Sequence, residues 1–198
     1  MAIARAGFAD AERVLDFYSS TIDGMRNHPY RPRWIRDACP SCEGIVRHCI
    51  NGEQYLLEGQ GVTAAIVIRH AQEGSDGSVK WQVDAKGDEV STIHLLAVRP
   101  ELQNRGLATH LLGFAERLCR GRGDLAIRLA ALPDSVPSNR LYARCGYQLM
   151  CTKSYCFDIA GNIEFHLYER PLAEQQSRIP DRWRTLAYHT MASARGWN

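Results

Sequence analysis

The sequence predicts an α/β (α+β) domain, a central sheet carrying helices, and three observations predict it. Apolar strand-like runs alternate with segments of helical periodicity from Ala2 to Tyr168. Between Gln54 and His70, two such runs flank Gly59-Gln60-Gly61, a hairpin signal. The stretch from Leu96 to Thr109 leaves an apolar strand, turns at Pro100 and enters a helix through Gln-Asn-Arg-Gly-Leu-Ala.

Taken in order, Ala2 to Ala6 reads as a short first strand. Asp10 caps a helix whose apolar residues Val14, Leu15, Phe17, Tyr18 and Ile22 recur at helical spacing. Two prolines keep His28 to Trp34 out of a long helix. A second helix runs from Ser41 to about Cys49 and ends at Asn51-Gly52, a turn dipeptide. After the hairpin comes a polar loop, Gln72 to Ser78, then an extra strand over Val79 to Val83 and a turn at Lys86-Gly87-Asp88. Glu89 to Val98 is the central strand, and its alternation puts Thr92, His94 and Leu96 on one face. The helix after the glycine turn carries Leu107, Leu111, Phe114, Ala115 and Leu118 on one side and ends at Gly121. Leu125 to Leu132 is an aliphatic strand, and Val136 to Cys145 is a short helix closed by Gly146. Two strands, Tyr147 to Phe157 and Ile163 to Tyr168, flank the turn Ala160-Gly161-Asn162. The domain covers residues 1–172, and 173–198 form a C-terminal extension. There Trp183, Leu186, Ala187, Thr190, Met191 and Ala194 make one helical stripe after Pro180. That helix either packs on its own domain, makes a homodimer contact or covers a pocket.

The strand–turn–helix at 96–109 is an anion site by its chemistry. The first N–H groups of a helix have no intrahelical partner, and the macrodipole adds partial positive charge. Gly106 lets a phosphate approach the backbone with no Cβ in the way, Ala108 keeps the next turn nearly as open, and Arg105 adds a charged donor. A pyrophosphate suits such a turn.

The same residues resemble motif A of the GNAT superfamily of acyl-CoA-dependent N-acetyltransferases, Q/R-x-x-G-x-G/A, here Gln103-x-x-Gly106-x-Ala108. Asn139-Arg140-Leu141-Tyr142-Ala143-Arg144-Cys145-Gly146-Tyr147 resembles motif B, ending L-Y-x-x-x-G-F/Y. The two stand one helix and one strand apart, and the resemblance covers roughly residues 1–170. It implies the GNAT fold, a mixed, mostly antiparallel sheet with helices on both faces. It also implies acetyl-CoA as acyl donor and an amine as acceptor. The implied cofactor surface is Leu96, Ala97 and Val98 of the central strand; Gln103, Asn104, Arg105, Gly106, Leu107, Ala108 and Thr109 of the turn; and Ser135 and Ser138. The backbone of Leu96 and Val98 would hold the pantetheine arm. One departure is Ser135, where the family's motif B begins with Asn.

Acyl transfer from a thioester to an amine needs a neutral amine, a polarised carbonyl and a proton for the leaving thiolate. Tyr142 aligns with the family tyrosine that donates that proton. A phenol with a pKa of about 10 is protonated at neutral pH. The alternative is an aromatic of helix packing. His94 is the candidate base, since an imidazole titrates at about 6.5, and the alternative is a core histidine. Its place before Leu96-Ala97-Val98 resembles the arylalkylamine N-acetyltransferases, whose strand carries H-x-H. Here Thr92 replaces the first histidine, so the strand supplies no histidine pair. Glu89 and Asp88 are second-line bases. Tyr30 and Trp34, in a Pro-Tyr-x-Pro-x-Trp stretch similar to that of some bacterial family members, and Trp81 either wall an acceptor site or anchor loops.

Composition narrows the function classes. At 198 residues the chain buries a full core. Its 45% apolar and 23% charged residues are those of a soluble globule, and no apolar run is long enough for a membrane span. A net charge of +2 is too mild to point to nucleic acid. Seven scattered cysteines and an N-terminus without a signal-peptide core point to the cytoplasm. Cys39-Pro40-Ser41-Cys42 lacks the second ligand pair of a zinc site, so no metal is expected. The expected function is N-acetylation of a primary amine of a small molecule. A protein or peptide acceptor and a non-catalytic acyl-CoA-binding module are the alternatives.

Overall fold

The computed structural model describes residues 1–35, 40–70, 79–157 and 161–172. The expected C-terminal helix, the polar loop after His70, the tip of the last hairpin and Cys39 lie outside them.

Seven strands form one sheet: β1 (Ala2–Arg5), β2 (Gln54–Gly59), β3 (Gly61–His70), β4 (Val90–Val98), β5 (Ala126–Ala131), β6 (Gln148–Phe157) and β7 (Gly161–Pro171). Their spatial order is β1-β2-β3-β4-β5-β7-β6. Only β4 and β5 run parallel, because a helix crossover joins them. The other pairs are antiparallel. Among the described residues, four α-helices flank the sheet: α1 (Ala11–Gly24), α2 (Cys42–Ile50), α3 (Leu107–Arg122) and α4 (Val136–Arg144). None of the helices described is long and apolar enough to cross a membrane.

Helical spacing decides which face each helix buries. In α1, Val14, Phe17, Tyr18 and Thr21 are buried at i, i+3, i+4 and i+7. With Ile45 and Cys49 of α2 they cover one face of the sheet, against Leu56, Ala65 and Ala97. Leu111, Leu112, Ala115 and Cys119 of α3 and Tyr142 of α4 cover the other face, against Leu57, Ile66, Ile93 and Ile127. Coverage on both faces explains why β3 is buried without a break from Val62 to Ile68.

Four local expectations are corrected. Asp10 does not cap α1. Its carboxylate accepts from the Gly7 N–H at 3.0 Å, closing the short turn before the helix. Ser41 does cap α2, accepting from the Gly44 N–H at 3.0 Å. Helix α3 runs past Gly121 to Arg122 and stops at Gly123, whose φ of +87° suits the left-handed cap. Residues 79–83 form no strand. The Gln82 and Val83 N–H groups donate to the Glu169 carboxylate at 2.7 and 3.0 Å, so they are spent on a side chain instead of a neighbouring strand.

The fourth correction concerns β4. Val67 pairs with His94 and Ala65 with Ala97, so β4 holds one residue more than β3 over this span. This is a bulge, and Leu95 sits in it with φ +50°. A non-glycine residue there costs roughly 1–2 kcal/mol. The Tyr18 hydroxyl donates to the Leu95 carbonyl at 2.8 Å and holds it. Burial pushes the Tyr18 phenol above its usual range, which keeps it a donor. The extra residue inverts the alternation. Thr92 and His94 stay on one side, while Leu96 and Val98 pack with the α3 cluster and Ala97 with the α1–α2 cluster. Thr92, His94 and Leu96 therefore do not share a face.

Tyr18→Phe removes the donor and leaves the Leu95 carbonyl in a buried place. We expect a loss of about 1–3 kcal/mol in urea unfolding. Unchanged stability would mean that the bulge does not depend on this bond.

Candidate active site

The bulge opens a fork. The parallel pairing of β4 with β5 ends at Ile93 and Leu129, while β5 runs on along β7 to Ala131. From His94 onward β4 has a strand on its β3 side only. The Arg99 N–H donates to Thr63 of β3 at 3.0 Å, so alternation turns the backbone of Val98 and of Leu96 toward the fork. The Gln103 side chain meets the Val98 carbonyl at 3.4 Å, as that direction requires. The fork edge thus offers an unpaired strand to an extended ligand.

Six and eight residues beyond β4, Asn104 (φ +60°) and Gly106 (φ +78°) bend the chain into α3. A Cβ on Gly106 would meet no atom within 4 Å, so the positive φ, rather than crowding, calls for glycine. No side chain caps α3, and its first intrahelical bond is the His110 N–H to Gly106 O at 2.9 Å. The N–H groups of Leu107, Ala108 and Thr109 head the helix. Asn104, Arg105, Gly106 and Thr109 are exposed, and Leu107 anchors the turn against the core. The Gln103 side chain points back, with Nε2 3.1 Å from Met25 Sδ.

The loop before α4 completes this end of the sheet. Ser135 and Ser138 bond to one another, Oγ to Oγ at 2.9 Å. Asn139 donates to the carbonyls of Leu132 and Pro133 and accepts from the Tyr168 hydroxyl, so it clamps the loop. The Tyr142 ring lies between Tyr147 and Tyr168, with centroids 6.0 and 5.8 Å away. Burial, then the neighbouring Tyr168 and Cys145, pushes its phenol up to about 12, so it carries its proton at neutral pH. Its hydroxyl makes no hydrogen bond to the described residues, which leaves that proton available.

His94 is the first β4 residue past the fork and lines a cavity of about 310 Å³ with Ser41, Gly44, His48, Arg69 and Leu95. Its Nε2 lies 3.1 Å from Thr92 Oγ1. Desolvation, then the Arg69 cation and His48, pushes the imidazole down to about 4. The residue is exposed at the cavity mouth, and with its basicity lowered His94 is neutral at pH 7.

The three aromatic residues have separate partners. Tyr30 faces His28 at 6.0 Å, Trp34 makes an edge contact with Tyr18 at 5.7 Å, and Trp81 lies under the Arg128 guanidinium at 4.3 Å. No ring contact joins Tyr30, Trp34 and Trp81 among the described residues. Arg33 does tie this loop to Asp134, before α4, at 2.9 Å.

Three features escaped sequence reasoning. Tyr18 read as a core aromatic. Arg128 and Glu169 form a buried ion pair at 2.9 Å that fixes residues 82–83, and the signal for it was a charge inside an aliphatic strand. His48 and Glu53 meet at 2.6 Å beside His94, from the end of α2 and the turn after it. Among the described residues, no group of three or more His, Cys, Asp and Glu is placed to hold a metal.

Comparisons with known proteins agree with this geometry. The family model described as "Acetyltransferase (GNAT) family" matches residues 17–147, more than half of the chain. A streptothricin acetyltransferase from Escherichia coli is 26% identical over 105 residues, 52% of this chain and 54% of that protein. The chain thus spans about half the length of that curated relative. A GNAT-family acetyltransferase structure from Listeria monocytogenes 4b F2365 has a TM-score of 0.66 at 23% identity, over 86% of this chain and 94% of its own. The ribosomal-protein-S18-alanine N-acetyltransferase of Escherichia coli has a TM-score of 0.60 at 14% identity, over 90% and 98%. The match spans both motifs, the fork and the glycine turn, and the chain belongs to the GNAT family of acetyltransferases.

Proposed function

We propose that the protein transfers an acetyl group from acetyl-CoA directly to a primary amine of a small molecule. The observation that carries this reading is the continuity of the fork with the turn. An unpaired strand edge at Leu96–Val98 leads within a few residues to the uncapped N-terminus of α3. That length of chain suits pantetheine along β4 and pyrophosphate at Leu107–Thr109. Ser135 and Ser138, already bonded to each other, supply hydroxyls near α4. A cavity of about 310 Å³ is sized for a small acceptor. The relative that acts on streptothricin, by its name, supports the same class. Tyr30, Trp34 and Trp81 would contact the acceptor one by one rather than as a wall.

The chemistry follows from charge states. A neutral His94 accepts the amine's proton directly or through water. The amine nitrogen then attacks the thioester carbon, its C–N bond forms and the C–S bond breaks. The Tyr142 hydroxyl protonates the departing thiolate, and the second proton that the nitrogen sheds on becoming an amide returns to the Tyr142 oxygen directly or through water. Fork amides orient the acyl carbonyl.

The test is turnover of acetyl-CoA by purified protein against a panel of small amines, with a peptide N-terminus included. Acetylation of small amines is expected, and activity on the peptide alone would overturn the acceptor class. In that assay Tyr142→Phe should lower kcat by about 10-fold or more while acetyl-CoA affinity by calorimetry stays the same. Unchanged kcat with chemistry rate-limiting would leave Tyr142 a packing residue.

The pH dependence carries a sign. A base works only when deprotonated, so kcat/KM rises with pH through the pKa of His94. Its ordinary value is about 6.5 and the fold lowers it, so this limb should lie below pH 6.5. Any rise at higher pH belongs to the amine losing its own proton. His94→Ala should abolish the acidic limb. A limb that survives in the variant would assign the base elsewhere.

A further inference from the structure

β4 supplies one histidine to the cavity, and α2 supplies a second. His48 Nδ1 lies 2.6 Å from Glu53 Oε2, and both side chains are largely buried. A carboxylate at that distance accepts a hydrogen bond from Nδ1–H and leaves Nε2 free to take a proton. His48 and His94 line the same cavity, and its volume of about 310 Å³ admits water between them. We infer that His48, oriented by Glu53, is a second station of a proton path that runs from the acceptor amine through His94 and cavity water. This rests on the proposed N-acetyl transfer.

Each turnover releases one proton into the cavity. A protonated amine and acetyl-CoA give an amide, CoA thiol and one net proton. The amine's ammonium proton passes to His94, whose imidazolium passes it to water and then to His48 Nε2. His48 releases it to solvent, and Glu53 keeps the ring oriented through Nδ1. A lone His94 whose basicity is lowered, as described above, holds a proton poorly. A second imidazole backed by a carboxylate takes it onward. Facing His48 are Glu53, Arg69 of β3 and His94 of β4. Arg69 Nε lies 3.7 Å from Glu53 Oε1 and keeps that carboxylate in place. On α2 itself, Arg47 and Glu43 pair with each other at 2.6 Å.

Glu53 is a positioning residue, and pH profiles separate its role from a structural one. kcat/KM for the best amine would be measured against pH in wild type, His48→Gln, His48→Ala and Glu53→Gln. Acetyl-CoA affinity by calorimetry reports the fold. We expect a loss of about 10-fold or more at neutral pH in the His48 variants, with acetyl-CoA affinity unchanged. Glu53→Gln should show a smaller loss and a shifted limb. Added imidazole should restore turnover in His48→Ala, and the solvent isotope effect in mixed H2O and D2O should lose its curvature in His48→Gln. Wild-type turnover with His48→Gln and Glu53→Gln indistinguishable from it would overturn the relay and leave the proposed function standing. A wild-type protein that acetylates no amine would overturn that function and the relay together.

Discussion

A single hydrogen bond, from the Tyr18 hydroxyl to the Leu95 carbonyl, underlies the arrangement of the site. It secures an extra residue in β4 at a backbone conformation that leucine disfavours. The consequences are geometric. The bulge bends β4 where its pairing with β5 stops, and it swaps the faces of every residue after it. Leu96 and Val98 then pack toward α3 while His94 remains on the α2 side. The backbone of Leu96 and Val98 faces the fork in the plane of the sheet, while the His94 side chain stands on the α2 face.

Charge placement complements that geometry. The α3 terminus offers free N–H groups and partial positive charge to an anion. The groups that would handle protons are neutral: Tyr142 keeps its proton because burial disfavours the phenolate, and His94 lacks one because desolvation and the Arg69 cation disfavour imidazolium. The buried charges of Arg128 and Glu169 are held as a pair. Arg128 and Glu169 are nearly inaccessible, and removing either partner of such a pair typically costs about 3–5 kcal/mol. Glu169 also binds the backbone of residues 82–83, so the ion pair fastens Trp81 to the sheet beside the fork.

Local chemistry made much of this legible in the sequence. The hairpin around Gly59–Gly61, the start of α2 at Ser41 and the glycine turn at Gly106 each depend on residues within a few positions of one another. Their signals therefore survive without tertiary information. The bulge had no such signal. Leu95 is an ordinary strand residue, and its extra place is defined only against Val67 and Ala65 on another strand. Strict alternation consequently placed Leu96 with His94. The same limit explains residues 79–83. Their composition suits a strand, yet their donors go to Glu169, distant in sequence. His48 carried no signal of its own, because its meaning comes from Glu53 and from a cavity shared with β4.

In the proposed function the fork edge and the α3 terminus act as one binding surface for acetyl-CoA. Amide hydrogen exchange, resolved by residue and measured with and without acetyl-CoA, reads that surface. Slower exchange is expected at Leu96 and Val98 and at Leu107 to Thr109 together, with little change along β1. Binding that protects the α3 amides and leaves Leu96 and Val98 exchanging as before would contradict it.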